Sequence, residues 1–206
     1  MDKEIYIVRH GRTDFNRRGV WQGSGVDAAL DGEGREQARS FYESYKGRDF
    51  DLVVYSGLQR SKQTIQAFLE DGIEGLLSTD INEISWGRFE GKPHTEESLG
   101  AYKALIKAWS QRNYDVCLEG GESANQLFKR MSKFRKEVIK IKKKRVLICS
   151  HGRAIRAMLA VFKGEEASTM EKYTHANTGV FIGKLVGEEF SFSTYNLTDH
   201  IPADGI

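Results

Sequence analysis

Two histidines lie far apart in the chain, and each of them closely follows a short apolar run and precedes a glycine. The residues at positions 9–11 are Arg-His-Gly, and those at positions 150–152 are Ser-His-Gly. Histidine has an ordinary pKa of about 6.5, so at neutral pH it can act as a nucleophile, a base or a cationic donor, and two histidines can divide these roles. A cationic side chain beside an imidazole is suited to binding an anion. Arg9, His10 and His151 therefore predict a phosphoryl-transfer site.

The apolar runs before these histidines explain how the two could meet. Residues 5–8 and 146–149 are rich in β-branched and apolar side chains, which predicts two buried strands of an α/β sheet. In such a sheet the carboxyl ends of the strands open onto the ligand crevice, so each histidine should project there, while Gly11 lets the backbone turn sharply. A single His-Gly pair is better explained as a strand end satisfied by backbone hydrogen bonds. Its occurrence twice in one chain favours the functional interpretation.

Another predicted strand, at residues 51–56, brings an arginine to the same edge of the sheet. A Ser-Gly pair at 56–57 separates this run from a helical segment, so Arg60 falls at a helix N-terminus. Free backbone N–H groups and the positive end of the helix dipole attract phosphate there, and a guanidinium adds bidentate hydrogen bonds. An isolated arginine would more simply be a surface residue paired with an acid. Because Arg60 should lie beside Arg9 and the two histidines, we predict that it binds the anion.

Further residues extend these motifs into an ordered set that spans most of the chain. In chain order, the set contains Arg9, His10, Gly11, Asn16, Gln22, Gly23, Gly34, Gln37, Ala38, Ser56, Arg60, Gln63, Thr64, Glu83, Gly87, Glu90, Gly91, Gly121, Glu122, Ser123, Ser150, His151, Gly152 and Arg156. This set resembles the histidine phosphatase superfamily, also called the phosphoglycerate mutase-like family, and Asn177 matches a further position. The resemblance implies an α/β fold, a three-layer α/β/α sandwich with a mostly parallel central sheet. It also implies a small phosphorylated substrate and no cofactor.

The resemblance implies a two-step transfer. A neutral His10 attacks phosphorus and forms a phosphohistidine, while its other ring nitrogen bonds to the backbone and holds the ring in orientation. Arg9, Arg60 and a protonated His151 hold the equatorial oxygens and stabilise their charge in the transition state. Glu83 gives a proton to the departing alcohol or phenol and then accepts one from the water that hydrolyses the intermediate.

The assignment of Glu83 as the acid follows from a difference within the family. In one branch of the superfamily an aspartate directly follows the second histidine and donates the proton, but this chain has Gly152 there. Glu83 precedes Gly87 and a Glu-Gly pair at 90–91, which matches the branch that uses a glutamate. The alternative is a surface glutamate at the end of a strand.

The resemblance also implies substrate-binding residues around the reacting groups. They are Gly11, Arg12, Asn16, Gln22, Gly23 and Gly152. Of these, Gly11 and Asn16 complete the phosphate pocket. Arg12 stands where the family frequently has an acidic residue, so it could bind a second anionic group on the substrate.

The length of 206 residues fits a single domain, 1–206, which can bury about 70% of its unfolded surface. The other predicted elements are a helix capped by Asp31, a strand or extended segment at 78–84, helices at 96–113 and 122–144, a helix after His151 and a closing hairpin at 179–195. The segment 86–121 is predicted to be a cap-like insertion over the crevice that contributes to substrate selection. Packing against the domain explains its aromatic residues equally well.

Charge and hydropathy argue against several classes of protein. The net charge is +2 and acidic and basic residues are interspersed, so neither nucleic acid nor an anionic membrane is expected as a partner. The basic face of the 122–144 helix lacks the aromatic residues that stack on bases, which indicates a solvated surface. No apolar run approaches the roughly 18 residues of a membrane span, and the charged N-terminus leaves no room for a signal peptide.

The cysteines and the spacing of the histidines lead to the remaining expectations. Cys117 and Cys149 are far apart in the sequence, so we expect free thiols and a cytoplasmic protein. The five histidines show no paired spacing with cysteine or with one another, so no metal site is expected. The sequence leaves the oligomeric state undetermined.

These observations favour a metal-independent phosphomonoesterase that hydrolyses a small phosphorylated metabolite through a phosphohistidine on His10. A cofactor-dependent phosphoglycerate mutase is the alternative enzyme, because it forms the same intermediate and returns the phosphoryl group to a second hydroxyl. The Gln-Gly pair at 22–23 and the compact 86–121 segment resemble the phosphatase branch instead. A non-catalytic regulatory protein on the same fold is a third alternative, but all five reacting residues are present.

Overall fold

The computed structural model of the protein describes residues 2–201. Its sheet consists of β1 (Lys3–Arg9), β2 (Leu52–Tyr55), β3 (Gly75–Leu77), β4 (Arg145–Ser150), β5 (Val180–Val186) and β6 (Glu189–Leu197). The strands lie in the order β3-β2-β4-β1-β5-β6. The first four are parallel to one another, whereas β5 is antiparallel to β1 and to β6. The mostly parallel sheet and the closing hairpin predicted from the sequence are confirmed.

Helices cover both faces of the sheet. They are α1 (Asp14–Arg17), α2 (Gly32–Tyr45), α3 (Gln59–Glu70), α4 (Glu96–Ser110), α5 (Ala124–Lys140) and α6 (Gly152–Phe162), with short 3-10 helices at Lys46–Arg48, Thr79–Ile81, Gly87–Phe89 and Ala167–Lys172. On one face, α2 and α3 pack on Tyr6 and Val8 of β1, and on the other face α5 and α6 pack on Ile5 and Ile7. Because successive side chains of a strand point to opposite faces, one apolar run serves both layers. The α/β/α sandwich is confirmed.

The pairing of the two central strands brings the histidine motifs together. In the parallel ladder Val8 lies opposite Cys149 and Arg9 lies opposite Ser150, so both strands end at the same level. The next strand, β2, pairs with the other side of β4. It delivers the N-terminus of α3 to the same edge. The reacting residues thus gather where three parallel strands end, as expected of an open α/β sheet.

Two helix starts are as predicted. The Asp31 side chain accepts a hydrogen bond from the Gly34 N–H at 2.8 Å and caps α2. Arg60 is the second residue of α3. The Asp31 cap satisfies a backbone donor that the first turn of α2 would otherwise leave free.

The third parallel strand lies earlier in the chain than the predicted segment 78–84. Residues 75–77 form the edge strand, and the chain then turns through a 3-10 helix before reaching Glu83. The Arg130 guanidinium donates to the carbonyl oxygens of Asp80 (2.6 Å) and Asn82 (2.8 Å), so these backbone groups bond to a side chain of α5 instead of to a strand. Arg130 is about 50 residues away from Asp80 and Asn82 in the sequence, so a local pattern does not reveal these contacts.

The segment 86–121 contains one 3-10 helix and α4, which ends three residues before the predicted boundary. Trp86, Phe89, Leu105 and Trp109 are buried in the same core as α5 and α6. The segment therefore contributes to the main core, and its role in substrate selection stays a prediction.

Two further observations concern the chemistry of the chain as a whole. Cys117 is exposed and Cys149 is buried, and both thiols are free. Within residues 2–201, no helix combines the length and the apolar character needed to cross a bilayer.

Candidate active site

Both predicted histidines lie at the carboxyl ends of β1 and β4, where His10 lines a crevice and His151 is buried next to it. The His10 and His151 rings lie 5.1 Å apart between centroids, and their side chains are almost fully buried. The His10 N–H donates to the Ser150 carbonyl at 3.0 Å, which continues the strand ladder by one residue. The backbone thus fixes the position of each imidazole.

The hydrogen bonds of His10 define its tautomer. Its Nδ1 lies 2.7 Å from the carbonyl oxygen of Gly11, which can only accept, so Nδ1 carries the proton and the lone pair is on Nε2. Burial, together with the guanidiniums of Arg60 and Arg9, lowers the pKa of His10 well below its ordinary value. The ring is therefore neutral at pH 7, and its Nε2 can act as a nucleophile.

The two arginines of the crevice differ in their freedom. Arg60 is fully buried and donates to the Val26 carbonyl (2.7 Å), the Gly23 carbonyl (3.3 Å) and Nδ1 of His151 (3.2 Å). The Arg9 side chain makes no hydrogen bond to any residue of 2–201, and its Nε is buried without a partner. Burial lowers the pKa of each guanidinium to about 10, so both stay charged at neutral pH. Arg60 is fixed in place, whereas Arg9 has donors available for an anion.

His151 uses both ring nitrogens. Because Arg60 donates to its Nδ1, its Nε2 carries the proton and donates to Oγ of Ser56 at 2.7 Å. Full burial and the Arg60 charge lower the pKa of His151 well below its ordinary value. The structure therefore gives a neutral His151, because a third cation next to Arg60 and Arg9 in a buried site is unfavourable. The protonated form predicted above concerns the site with a phosphoryl group bound and stays a prediction.

Glu83 lies at the N-terminus of α6. Its carboxylate accepts hydrogen bonds from the N–H groups of Ile84 (2.9 Å), Arg153 (3.1 Å) and Ala154 (2.9 Å), and only 7% of the residue is exposed. Glu83 lines the crevice together with Arg9 and His10. Among residues 2–201, Glu83 is the only carboxylate that lines the crevice.

The crevice has two adjoining parts, which share Arg9, Trp21, Glu83, Trp86 and His94. The phosphate pocket adds His10, Phe15, Asn16, Gly19, Val20 and Gln22. The side pocket adds Leu99, Tyr102, Gly152, Arg153, Arg156 and His175. His94, Leu99 and Tyr102 come from the segment 86–121. Glu83 thus borders both the space beside His10 and the space where a leaving group would extend.

The predicted substrate-binding residues divide into those that line the crevice and those that shape it. Asn16 and Gln22 line the phosphate pocket and Gly152 lines the side pocket. Gly11 donates from its N–H to Oγ1 of Thr64 (2.9 Å) and Gly23 accepts from Arg60, so these two glycines hold the pocket through their backbones.

The structure does not bring the Arg12 guanidinium into the crevice. It forms ion pairs with Asp31 at 2.8 Å and with Glu33 at 2.5 Å, at the start of α2. These carboxylates neutralise the positive charge of Arg12, which the sequence predicted to bind a second anionic group of the substrate. That prediction is corrected because Arg12 has partners from a helix that packs beside it.

His175 and Arg153 are crevice residues that the sequence did not single out. Burial and the positive charge of Arg9 lower the pKa of His175 to about 3, so it is neutral. Asn177 belongs to the same loop as His175, and its side-chain N–H donates to the His10 carbonyl at 3.0 Å. Its match to a family position was the one sequence signal that this loop reaches the site. Among residues 2–201 no three His, Cys, Asp or Glu side chains are grouped to hold a metal ion.

Substituting Gly11 by alanine is expected to destabilise the protein by about 1–3 kcal/mol, because a Cβ there would lie 2.5 Å from the Gly34 carbonyl oxygen. Gly100→Ala is the matched control: Gly100 is in α4 with open space around it, so alanine should stabilise the fold by up to about 1 kcal/mol. Urea unfolding measures both. Equal stabilities for Gly11→Ala and wild type would show that the loop moves away from α2 at no cost.

Lowering the pH below about 6.5 is expected to destabilise the fold, because His10, His151 and His175 resist protonation in the folded state, each with a lowered pKa. The unfolded chain takes up these protons near pH 6.5, so it binds more protons than the folded chain below that pH. The free energy of unfolding should therefore fall by about 1.4 kcal/mol per pH unit for each histidine. Urea unfolding at several pH values measures the slope. The variant His175→Asn should show a smaller slope, and an unchanged slope would contradict the assignment.

Comparisons with known proteins agree with this geometry. A family model described as the histidine phosphatase superfamily (branch 1) matches residues 5–198. A Schizosaccharomyces pombe protein described as a probable phosphatase is 33% identical over 202 residues, covering 96% of this chain and 88% of its own length. A phosphoglycerate mutase of the same organism is 30% identical over 203 residues, covering 90% and 94%. A crystal structure of an Entamoeba histolytica phosphoserine phosphatase in complex with phosphoserine superposes with a TM-score of 0.83 at 25% identity, covering 97% and 99%.

Proposed function

Because this chain belongs to branch 1 of the histidine phosphatase superfamily, we propose that it hydrolyses the phosphate monoester of a small metabolite through a phosphohistidine on His10. The observation that carries this proposal is the state of His10. Its Nδ1–H is bonded to the Gly11 carbonyl, its Nε2 lone pair is free, and its lowered pKa keeps it neutral. The donors of Arg9 stand available beside it.

In the first step of the proposed reaction, Nε2 of His10 forms a bond to phosphorus while the ester bond to the leaving oxygen breaks. Glu83, entering this step protonated, transfers its proton to that oxygen. In the second step, Glu83 takes a proton from water, the resulting hydroxide bonds to phosphorus, and the bond between phosphorus and Nε2 breaks. Inorganic phosphate leaves and the neutral imidazole is regenerated, so the cycle closes on the starting state.

The charges that stabilise the transition state come from Arg9 and Arg60 in this proposal, and no metal ion is required. His151 accepts from Nε of Arg60 and so fixes the fork of that guanidinium. A phosphate dianion in the pocket would favour a proton on His151, because an opposite charge raises the pKa of a nearby imidazole. The proposal also includes a cytoplasmic location, in keeping with the two free thiols.

A phosphoglycerate mutase is the second candidate, because a protein named as such is 30% identical over almost the whole chain. The mutase shares the first step and returns the phosphoryl group to a hydroxyl of the same compound. The two candidates therefore differ in the acceptor of the second step.

Phosphate release from p-nitrophenyl phosphate, sugar phosphates and 3-phosphoglycerate, with EDTA present, tests the proposal. Release that continues in EDTA and is lost in His10→Ala supports a metal-independent phosphatase. Isomerisation of 3-phosphoglycerate in the presence of a bisphosphoglycerate primer, without phosphate release, would show the mutase instead. Inactivity in both assays would contradict both candidates for these substrates.

A further inference from the structure

Three residues that line the side pocket carry buried nitrogen atoms without hydrogen-bond partners. Nε of Arg9, Nε of Arg156 and Nδ1 of His175 are buried, and none of them has a partner among the residues that the structure describes. All three residues line this pocket. A buried polar group without a partner is unfavourable, so three of them on residues that line one cavity favour a ligand with acceptor oxygens.

The side pocket also keeps one positive charge in excess. Arg153 and Arg156 share a single carboxylate, that of Glu171, with Nη1 of Arg156 at 2.6 Å from one oxygen and Arg153 bonded to the other. His175 is neutral, because its pKa is lowered to about 3. Arg9 and Glu83 also line this pocket, so three guanidiniums face two carboxylates, and one positive charge is not neutralised by the protein. This charge suits a monoanion.

Arg156 keeps donors that its ion pair with Glu171 does not use. The hydrogen bond to Glu171 uses Nη1 of its guanidinium and leaves Nε free, and Nε belongs to the edge that matches a planar carboxylate with two parallel hydrogen bonds. Arg153, whose side chain is only 4% exposed, is held by Tyr102 and Glu171 and supports the same cluster. We propose that the leaving group of the substrate carries a carboxylate, which Arg156 and His175 bind in the side pocket.

The proposal rests on the proposed phosphatase function and narrows its substrate to a small phosphorylated acid. Glu83 and Arg9 line both pockets, so an ester oxygen beside Glu83 places the rest of the leaving group in the side pocket. The two pockets adjoin, because they share Arg9, Trp21, Glu83, Trp86 and His94. In this proposal the second anionic group of the substrate is bound by Arg156 and not by Arg12.

Two matched pairs of substrates test this inference. 3-Phosphoglycerate has a carboxylate where glycerol 3-phosphate has a hydroxymethyl group, and O-phosphoserine has a carboxylate that phosphoethanolamine lacks. We expect kcat/KM for phosphate release to be about 10- to 100-fold higher for the acid of each pair, the ratio that a charge-assisted hydrogen bond provides. Equal values within both pairs would overturn the proposal. Faster release from glycerol 1,3-bisphosphate than from 3-phosphoglycerate would also overturn it, in favour of a second phosphate.

Three variants separate binding of the carboxylate from a merely structural role. Arg156→Gln should remove most of the preference for the acids. Glu171→Gln breaks the same ion pair but leaves both guanidiniums, so it should keep or increase the preference. Arg39→Gln, which breaks an exposed ion pair with Glu36 outside the crevice, should leave the ratio unchanged. Equal loss of the preference in Arg156→Gln and Glu171→Gln would show that the ion pair only maintains the fold and would overturn the proposal.

Binding to the His10→Ala protein distinguishes a failure of this inference from a failure of the proposed function. Titration calorimetry with 3-phosphoglycerate and glycerol 3-phosphate needs no turnover. Tighter binding of the acid, lost in His10→Ala combined with Arg156→Gln, would support the carboxylate site even if the wild type released no phosphate. Equal binding of the two compounds would overturn the site, whether or not the enzyme hydrolyses them.

Discussion

Replacing His10 by alanine is expected to lower kcat/KM for phosphate release by about 10⁴-fold or more, because the variant has no nucleophile to form the covalent intermediate. Arg9, Arg60 and Glu83 remain, so substrate binding should be largely preserved. The measurement is phosphate release from p-nitrophenyl phosphate and from glycerol 3-phosphate. A second measurement is the transfer of labelled phosphate from substrate to protein in a quenched reaction, which the wild type should show and the variant should not.

The matched control for this prediction is His200→Gln. His200 packs against Phe41 and Tyr45, outside both parts of the crevice, so its replacement should not affect the chemical step. Thermal unfolding checks that each variant is folded. Activity of His10→Ala within about tenfold of the wild type would contradict the assignment of His10 as the nucleophile.

Replacing Glu83 by glutamine is expected to lower kcat/KM for glycerol 3-phosphate by about 10²- to 10⁴-fold, because an alkoxide leaves poorly without a proton. The same variant should hydrolyse p-nitrophenyl phosphate with a kcat/KM within about tenfold of the wild type, since p-nitrophenolate is a stable leaving group. The second step still lacks its base. A burst of p-nitrophenol followed by slow turnover should therefore appear in the variant.

The ratio of kcat/KM for the two substrates does not depend on how much of the variant is folded. Glutamine has one acceptor fewer than the carboxylate that bonds to Ile84, Arg153 and Ala154, so part of the protein could lose its native structure. A smaller folded fraction lowers both rates equally and leaves their ratio unchanged. Glu43→Gln, which removes an exposed carboxylate that pairs with Lys46 at 2.7 Å at the end of α2, is the control. Equal losses for both substrates in Glu83→Gln would show that Glu83 is not the acid.

Much of the fold and part of the site could be predicted from the sequence because the determinants are local. An apolar run that ends in His-Gly specifies a buried strand and the residue at its tip, and it does so at positions 10 and 151. Asp31 caps the helix that follows it, and Arg60 falls at a helix start for the same local reason. Parallel strands then bring such tips to one edge, whatever lies between them in the chain.

Other features could not be predicted, because they depend on which groups approach through space. β3 lies at 75–77 because Arg130, from α5, holds the carbonyl oxygens of the next segment. Arg12 lies outside the crevice because two carboxylates of α2 pair with it. The side pocket combines Arg156 with His175, which are separated by a helix, a 3-10 helix and a loop.

The protonation of the histidines shows the same division most clearly. The sequence by itself determined that His10 and His151 stand at strand ends next to Arg9 and Arg60. Only the tertiary structure decided that both are neutral, that Nε2 of His10 is the free nitrogen, and that His151 bonds to Arg60 and Ser56. The physical reason is that the pKa and the tautomer of an imidazole depend on burial and on the distances to its charged and hydrogen-bonding neighbours, which the packing of the whole chain sets.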